Sequence, residues 1–466
     1  MPHHELVIIG TGSGNSLLTE HFDDVDVAII EAGRFGGTCL NVGCIPTKMF
    51  VLPADRVEQA HDAARIGVTI ERARADWAAI RDRIFARIDP IADGGEEYRV
   101  SQPNVTVYKA EARFTGDRRL SLSSGEEVTA DHVVVAAGSR AVLLEDVPGL
   151  DRLDPAGGVH TSDTVMRMDT LPRRMVIIGG GFVACEFAHI FAAFGVDVVQ
   201  LQRSDRVLKQ EEVEVSATYA TAVADRYDLR LRTVATAARY DGEQWVITTR
   251  GPEGETEIET DTVLLAVGRT PNTDRLDAAA AGLQTEWDGR LVVDEQLRTT
   301  APQVWALGDI CSEHQLKHVA NHEARIVAHN AAVALGRLDA EPRTLDDRVV
   351  PHGVFSYPQI AAFGPTREEL QVRGVEFVSY TQRFSDVAYG WALEDQYGLL
   401  TVHATPEGRI LAAHCIGPDS STLIQPLIQA ATFGQHAHEV ARGQYWIHPA
   451  LAEVVENALL GLPLAN

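Results

Sequence analysis

Two cysteines five positions apart, Cys39 and Cys44, stand in the run GGTCLNVGCIPTK, residues 36–48. Thiols at such a spacing can pass two electrons by closing and opening a disulfide. In an ideal helix, residues five apart have Cα atoms about 8.7 Å apart, beyond the ~7 Å reach of an unstrained bridge. A disulfide here therefore needs a local break. Gly43 permits one, and Pro46 has no amide to give the Val42 carbonyl. Strain of this kind makes a bridge easier to reduce, as a working bridge must be. Lys48, four residues after Cys44, is expected on the same helical face, where its charge favours a thiolate, and a helix N-terminus does the same for Cys39. Two bland readings stand beside this one: two inert buried thiols, or a metal site, for which no further Cys or His lies at short spacing.

A second group with chemistry to offer comes near the C-terminus, in YWIHPALAE, residues 445–453. Pro449 favours a helix start, and this places Glu453 about one turn in, where its carboxylate can orient the His448 imidazole as a base. A purely structural His448 is the alternative.

The elements that must position these groups form a pattern used twice: apolar strand, glycine-rich turn, helix, second strand. In the first copy Gly10, Gly12 and Gly14 make the turn, Asn15 takes the place of the third glycine of G-x-G-x-x-G, and Glu31 closes the next strand where a carboxylate meets a ribose. In the second copy the turn is Gly179, Gly181 and Ala184, and Gln202 stands where an acid would hold the 2′-hydroxyl of NAD. Arg203 and Lys209 instead offer charge to a 2′-phosphate, pointing to NADPH; two solvated loop bases are the bland reading. Residues 131–139 and 261–272 read as further strands delivering glycines, and residues 291–310 as a hairpin and strand ending at Gly308-Asp309. A helix is expected from about 320 to 335. Past about residue 340 come antiparallel strands, then helices at 422–433 and about 450–460, as in a separate α+β domain. The fold class expected is α/β, with two Rossmann-like dinucleotide-binding domains and a C-terminal α+β domain.

A net charge of −25 over 466 residues argues against a nucleic-acid partner. No apolar run reaches the roughly 18–20 residues of a membrane helix, and the start of the chain shows no secretory signal, so a cytoplasmic protein off the membrane is expected. Cys185, Cys311 and Cys415 read as core thiols, His436 and His438 as surface residues, and no metal site is expected.

Taken in order, GTGSG, GGTCLNVGCIPTK, GGGFVACEFA, AVGRTPN, ALGD and HPALAE make the chain resemble the pyridine nucleotide-disulfide oxidoreductase family nearly end to end. The cysteine segment and HP-x-x-x-E are the specific elements; the glycine turns are not. The resemblance implies FAD held through Gly10, Gly12, Ser13, Gly14, Glu31, Gly37, Thr38, Cys39, Lys48, Gly138, Asp309 and Lys317. It implies NADPH held through Gly179, Gly180, Gly181, Val183, Glu186, Arg203, Lys209 and Gly268. By the same likeness Cys44 is the flavin-side thiol and Cys39 attacks substrate, Glu186 pairs with Lys48, and His448 with Glu453 protonates the leaving thiol. That histidine would come from the other subunit of a homodimer with a shared active site. The implied domains are 1–148 (FAD, first part), 149–270 (NADPH), 271–340 (FAD, second part) and 341–466 (interface).

Within the family, Glu20 and His21 replace the paired arginines that meet glutathione, and the C-terminus has no cysteine pair of the mercuric reductase kind. The turn GTGSGNS, the run CIPTKMF and the ending NALLGL (residues 457–462) resemble the mycothione reductases. The activity implied is reduction of a small disulfide, mycothione, by NADPH. An NADH-linked dihydrolipoyl dehydrogenase is the main alternative, followed by a glutathione-type reductase and a flavoprotein redox sensor.

Overall fold

Residues 6–9 read as an unbroken apolar run rather than an alternating one because both faces of their strand are covered. In the computed structural model, which describes residues 1–71 and 73–465, Val7 and Ile9 enter one hydrophobic core while Leu6 and Ile8 enter another. Arg72 and Asn466, the last residue of the expected interface domain, lie outside the described residues.

The chain forms two compact units. The first comprises Met1–Thr47, Arg81–Val142 and Gly268–Asp346. Its seven-stranded sheet runs in the order Val105–Tyr108, Val27–Ile30, His3–Ile9, Glu127–Val135, Arg119–Leu122, Ala112–Gly116, with Val304–Ala306 also paired to Glu127–Val135. The strands His3–Ile9, Val27–Ile30, Glu127–Val135 and Val304–Ala306 are joined by parallel ladders. Their carboxyl ends therefore deliver Gly10, Glu31, Gly138 and Gly308-Asp309 to one edge, where open α/β sheets bind ligands.

The helix expected after the first glycine turn does not form. Two short 3-10 turns, Gly14–Ser16 and Glu20–Phe22, stand in its place. An α-helix would use the Asn15 carbonyl to accept the amide four residues on, but here Arg99 claims it: its Nη2 donates to that carbonyl at 2.7 Å and its Nε to Asn15 Oδ1 at 2.7 Å. The first turn thus has no α-helix N-terminus behind it.

The second unit comprises Lys48–Ile80, Leu143–Val267 and the chain from Asp347 onward. One sheet is wholly parallel, in the order Asp228–Leu231, Asp197–Gln202, Arg174–Ile178, Thr262–Leu265, Val159–Thr161, and here the expected helix after the glycine turn is present, Phe182–Ala193. A three-stranded antiparallel meander accompanies it, Val234–Tyr240, Trp245–Gly251 and Gly254–Thr260. The C-terminal segment builds its own five-stranded antiparallel sheet, Pro351–Val354, Ile360–Phe363, Ile410–Ile416, Leu399–Ala404 and Val378–Arg383, and its own core. Helices Gln425–Thr432, Ala437–Arg442 and Ala452–Leu460 follow. Among the described residues no helix is long and apolar enough to cross a membrane.

Candidate active site

The predicted break between the two cysteines is there. A short helix, Gly37–Asn41, carries Cys39; the chain leaves helical geometry at Val42 (φ −145°, ψ 14°); a second helix, Cys44–Asp62, starts on Cys44. Gly43 fits because a Cβ there would lie 2.9 Å from the Thr38 carbonyl oxygen and 3.2 Å from Cys39 Cα. The two thiols consequently meet, and Cys44 donates a hydrogen bond that, with the Lys317 charge and the amides of Ile45 and Cys44, lowers the Cys39 thiol to about 7. The same hydrogen bond, together with burial, pushes Cys44 up. The helix terminus favouring the Cys39 thiolate is therefore that of the following helix.

Lys317, at the first position of the helix Lys317–Ala334, acts on the dithiol: the charges of Cys39, Cys44 and Asp309 all bear on it, against a burial that lowers its own pKa. Its Nζ donates to Ser13 Oγ at 2.9 Å, and Ser13 in turn donates to Asn321 Oδ1 at 3.0 Å. Lys48 instead places its Nζ 3.9 Å from the centre of the Phe355 ring, with burial lowering its pKa and the Glu186 charge opposing that shift. Glu186 Oε1 accepts the Phe355 amide at 2.8 Å, so the expected Lys48–Glu186 partnership runs through one aromatic residue. Replacing Lys317 by Gln should move the alkylation midpoint of Cys39 in the reduced enzyme upward from about 7, because removing a cation disfavours the thiolate. Iodoacetamide rates against pH would show slower labelling near pH 7 and convergence with the parent enzyme above pH 9; an unchanged midpoint would leave the Cys44 hydrogen bond and the helix amides as the whole cause.

The residues around this dithiol fit a flavin dinucleotide. Gly12 and Gly37 face each other so closely that a Cβ on Gly37 would come within 2.7 Å of Gly12 Cα, which keeps the backbone bare where a pyrophosphate approaches. Glu31 accepts from the Thr11 amide and hydroxyl at 2.8 and 2.6 Å and from the Gly33 amide at 2.7 Å, fixing the turn while leaving one of about four lone-pair positions for a ribose. At the neighbouring strand ends Asp309 Oδ2 accepts from Ser139 Oγ at 2.6 Å. Glu323, buried and raised by that burial, accepts the Gly308 amide at 2.6 Å. Neither Ser139 nor Glu323 was singled out from the sequence; Glu323 carries no motif, and only its seat in the helix under Gly308 reveals it. Gly138 and Thr38 lie beside these groups in the chain, Gly138 in the left-handed region at φ 63°.

In the second unit, Gly181 is the N-cap of Phe182–Ala193, with Val183 in its first turn, and Gly179 turns at φ 141°. Gln202 covers Gly180, its side chain 2.5 Å from where a Cβ would be, and donates to the Arg206 carbonyl at 3.1 Å. Arg203 and Lys209 are exposed and form no ion pair among the described residues. Arg206, between them in sequence, lies 3.6 Å from Glu368. Gly268 belongs to the first unit, where its carbonyl accepts the Val142 amide at 3.0 Å.

His448 is exposed, and its Nδ1 lies 2.7 Å from Glu453 Oε1, whose carboxyl this hydrogen bond holds low; Glu453 Oε2 accepts the Ala450 amide at 3.3 Å. The pairing is the one the sequence predicts, with Glu453 in the first turn of Ala452–Leu460. The remaining cysteines are buried, and burial pushes Cys185 and Cys415 up to about 12, so neither competes as a nucleophile near neutral pH.

Two glycine-turn sheets, one of them presenting a polarised dithiol, define a flavin-dependent disulfide oxidoreductase. Residues 4–324 match the model of the pyridine nucleotide-disulphide oxidoreductases, and residues 350–459 match the dimerisation domain of the same group. The chain belongs to this family. It is 46% identical over 470 residues to mycothione reductase of Mycobacterium tuberculosis, covering 99% of this chain and 100% of that one. It is 31% identical to dihydrolipoyl dehydrogenase of Haloferax volcanii, covering 98% and 96% of the two chains. Among solved structures, the HOCl-induced flavoprotein disulfide reductase RclA from Escherichia coli superposes with a TM-score of 0.83 at 26% identity, over 98% of this chain and 100% of that one. The protein is thus an enzyme that reduces disulfides with FAD and NADPH, and its C-terminal segment is a dimerisation domain.

Proposed function

We propose that the enzyme reduces mycothione to mycothiol. The end-to-end likeness to the mycobacterial mycothione reductase carries the reading. Glu20, exposed beside exposed Asp23, supports it by making the surface hostile to the carboxylates of glutathione disulfide.

In this reading FAD is held by the glycine turn, Glu31, Asp309 and Lys317, NADPH by the second turn with Arg203 and Lys209 on its 2′-phosphate, and residues 1–148, 149–270, 271–340 and 341–466 divide the labour as the sequence implies. FAD, when bound, relays an electron pair from NADPH to the Cys39–Cys44 disulfide. The Cys39 thiolate, stabilised by Lys317 and the helix amides, then attacks one sulfur of the substrate disulfide, forming a mixed disulfide and expelling one thiolate. His448, oriented by Glu453, gives that thiolate a proton. Cys44 attacks Cys39, the second thiol leaves, and the enzyme disulfide is restored, so two electrons and two protons convert one disulfide to two thiols. His448 comes from the second subunit in this scheme. The wholly exposed Tyr445 and 77% exposed Ile447 that flank it suit a segment covered by a partner. We place the enzyme in the cytoplasm, where thiols are kept reduced.

Steady-state turnover with NADPH against mycothione, glutathione disulfide and lipoamide tests this. The expected result is a kcat/KM for mycothione about 100-fold or more above the others, and slower turnover with NADH. Fastest turnover of lipoamide with NADH would replace the reading with dihydrolipoyl dehydrogenase.

A further inference from the structure

The second unit buries a carboxylate–imidazole cluster that disulfide reduction does not use. On the paired strands Leu399–Ala404 and Ile410–Ile416, Thr401 stands opposite His414, so His403 and His414 are diagonal neighbours on one face, while Leu400, Val402, Ala413 and Cys415 on the other face enter the hydrophobic core. Glu212, the N-cap of the helix Val213–Val223, reaches this face. All three are buried, His403 completely, and a Glu212 oxygen and one ring nitrogen of each histidine lie within 4.8 Å of one another.

Their remaining polar atoms are arranged as supports. His403 Nδ1 is 2.7 Å from Ser379 Oγ, which leaves Nε2 directed at Glu212 Oε1, 2.8 Å away. Glu212 Oε1 also accepts the Arg367 amide at 2.6 Å. His414 Nε2 lies 4.0 Å from Glu212 Oε1 and 3.2 Å from the Pro365 carbonyl; the tautomer that gives its N–H to that carbonyl has its lone pair on Nδ1. That nitrogen is buried and has no hydrogen-bond partner among the described residues. A buried lone pair without a donor is costly, and a cation relieves it. Histidines that bind metals typically donate their other ring N–H to an oxygen in this way. A cavity of about 410 Å³ is lined by Glu212, Thr401, Arg367 and Glu214 among others, so it adjoins the cluster on its Glu212 side and offers room for a water.

We propose that Glu212, His403 and His414 form a binding site for a divalent transition-metal ion, best matched by Zn²⁺, with two imidazoles, one carboxylate and a water from the cavity completing four ligands. None of the three residues takes part in the dithiol chemistry, and the site does not depend on which disulfide the enzyme reduces. The test uses FAD-loaded, tag-free enzyme with Cys39 and Cys44 closed as the disulfide, so that the thiols cannot take the ion. After chelator treatment, calorimetric titration with Zn²⁺ and the visible absorption of added Co²⁺ are measured. The expected result is one ion per chain with a tetrahedral Co²⁺ spectrum, and at least tenfold weaker binding in His414→Gln and in Glu212→Gln, with FAD content reporting that each variant is folded. Absence of uptake by the parent enzyme, or uptake that both folded variants retain unchanged, overturns the proposal; the parent titration decides even if a variant does not fold.

Discussion

Replacing Cys39 by serine is expected to lower NADPH-driven disulfide turnover by at least about three orders of magnitude while FAD stays bound. The environment of residue 39 is built for sulfur. The hydrogen bond from Cys44, the amides at the start of Cys44–Asp62 and Lys317 bring a thiol to about 7, so a large share is thiolate at neutral pH. A serine hydroxyl ionises far higher and cannot close a bridge to Cys44, so both the attack and the two-electron store are lost. Of the groups expected to hold the flavin, Glu31 on the Thr11 amide and Asp309 on Ser139 keep their hydrogen bonds when this side chain changes. Steady-state kinetics beside the visible flavin spectrum check both halves; turnover above a few per cent of the parent would place the nucleophile elsewhere.

The second large effect is expected from His448→Gln, a fall in kcat of about 10²- to 10⁴-fold. Glutamine keeps a polar side chain near Glu453 but cannot hand over a proton. The loss should shrink with an aromatic disulfide whose leaving thiol has a low pKa, because that thiolate departs without protonation. A merely structural histidine would lose the same factor with every substrate. Comparing kcat for aliphatic and aromatic disulfides in parent and variant separates the two.

How much of this was legible in the sequence depends on how local its cause is. The break between Cys39 and Cys44 could be read because Gly43 and Pro46 sit inside it, and the His448–Glu453 pair because five residues and a proline set its geometry. The missing helix after the first glycine turn could not, since Arg99 captures the Asn15 carbonyl from 84 residues away. The action of Lys317 on the dithiol was not legible for a related reason. Spacing along one helix points to Lys48, whose ammonium lies over the Phe355 ring, whereas Lys317 comes to Cys39 from a distant part of the chain through the packing of the parallel strand ends. Glu323 and the cluster of Glu212, His403 and His414 depend on register and burial, which no short motif encodes.

If Cys39 and Cys44 are the working dithiol, reducing equivalents from NADPH come to rest on them. Oxidised, FAD-loaded enzyme should be reduced anaerobically with one equivalent of NADPH per chain, alkylated with iodoacetamide and mapped by mass spectrometry. Label is expected at Cys39, with Cys185, Cys311 and Cys415 unlabelled in their buried positions. Consumption of the NADPH with no label at Cys39 would contradict it.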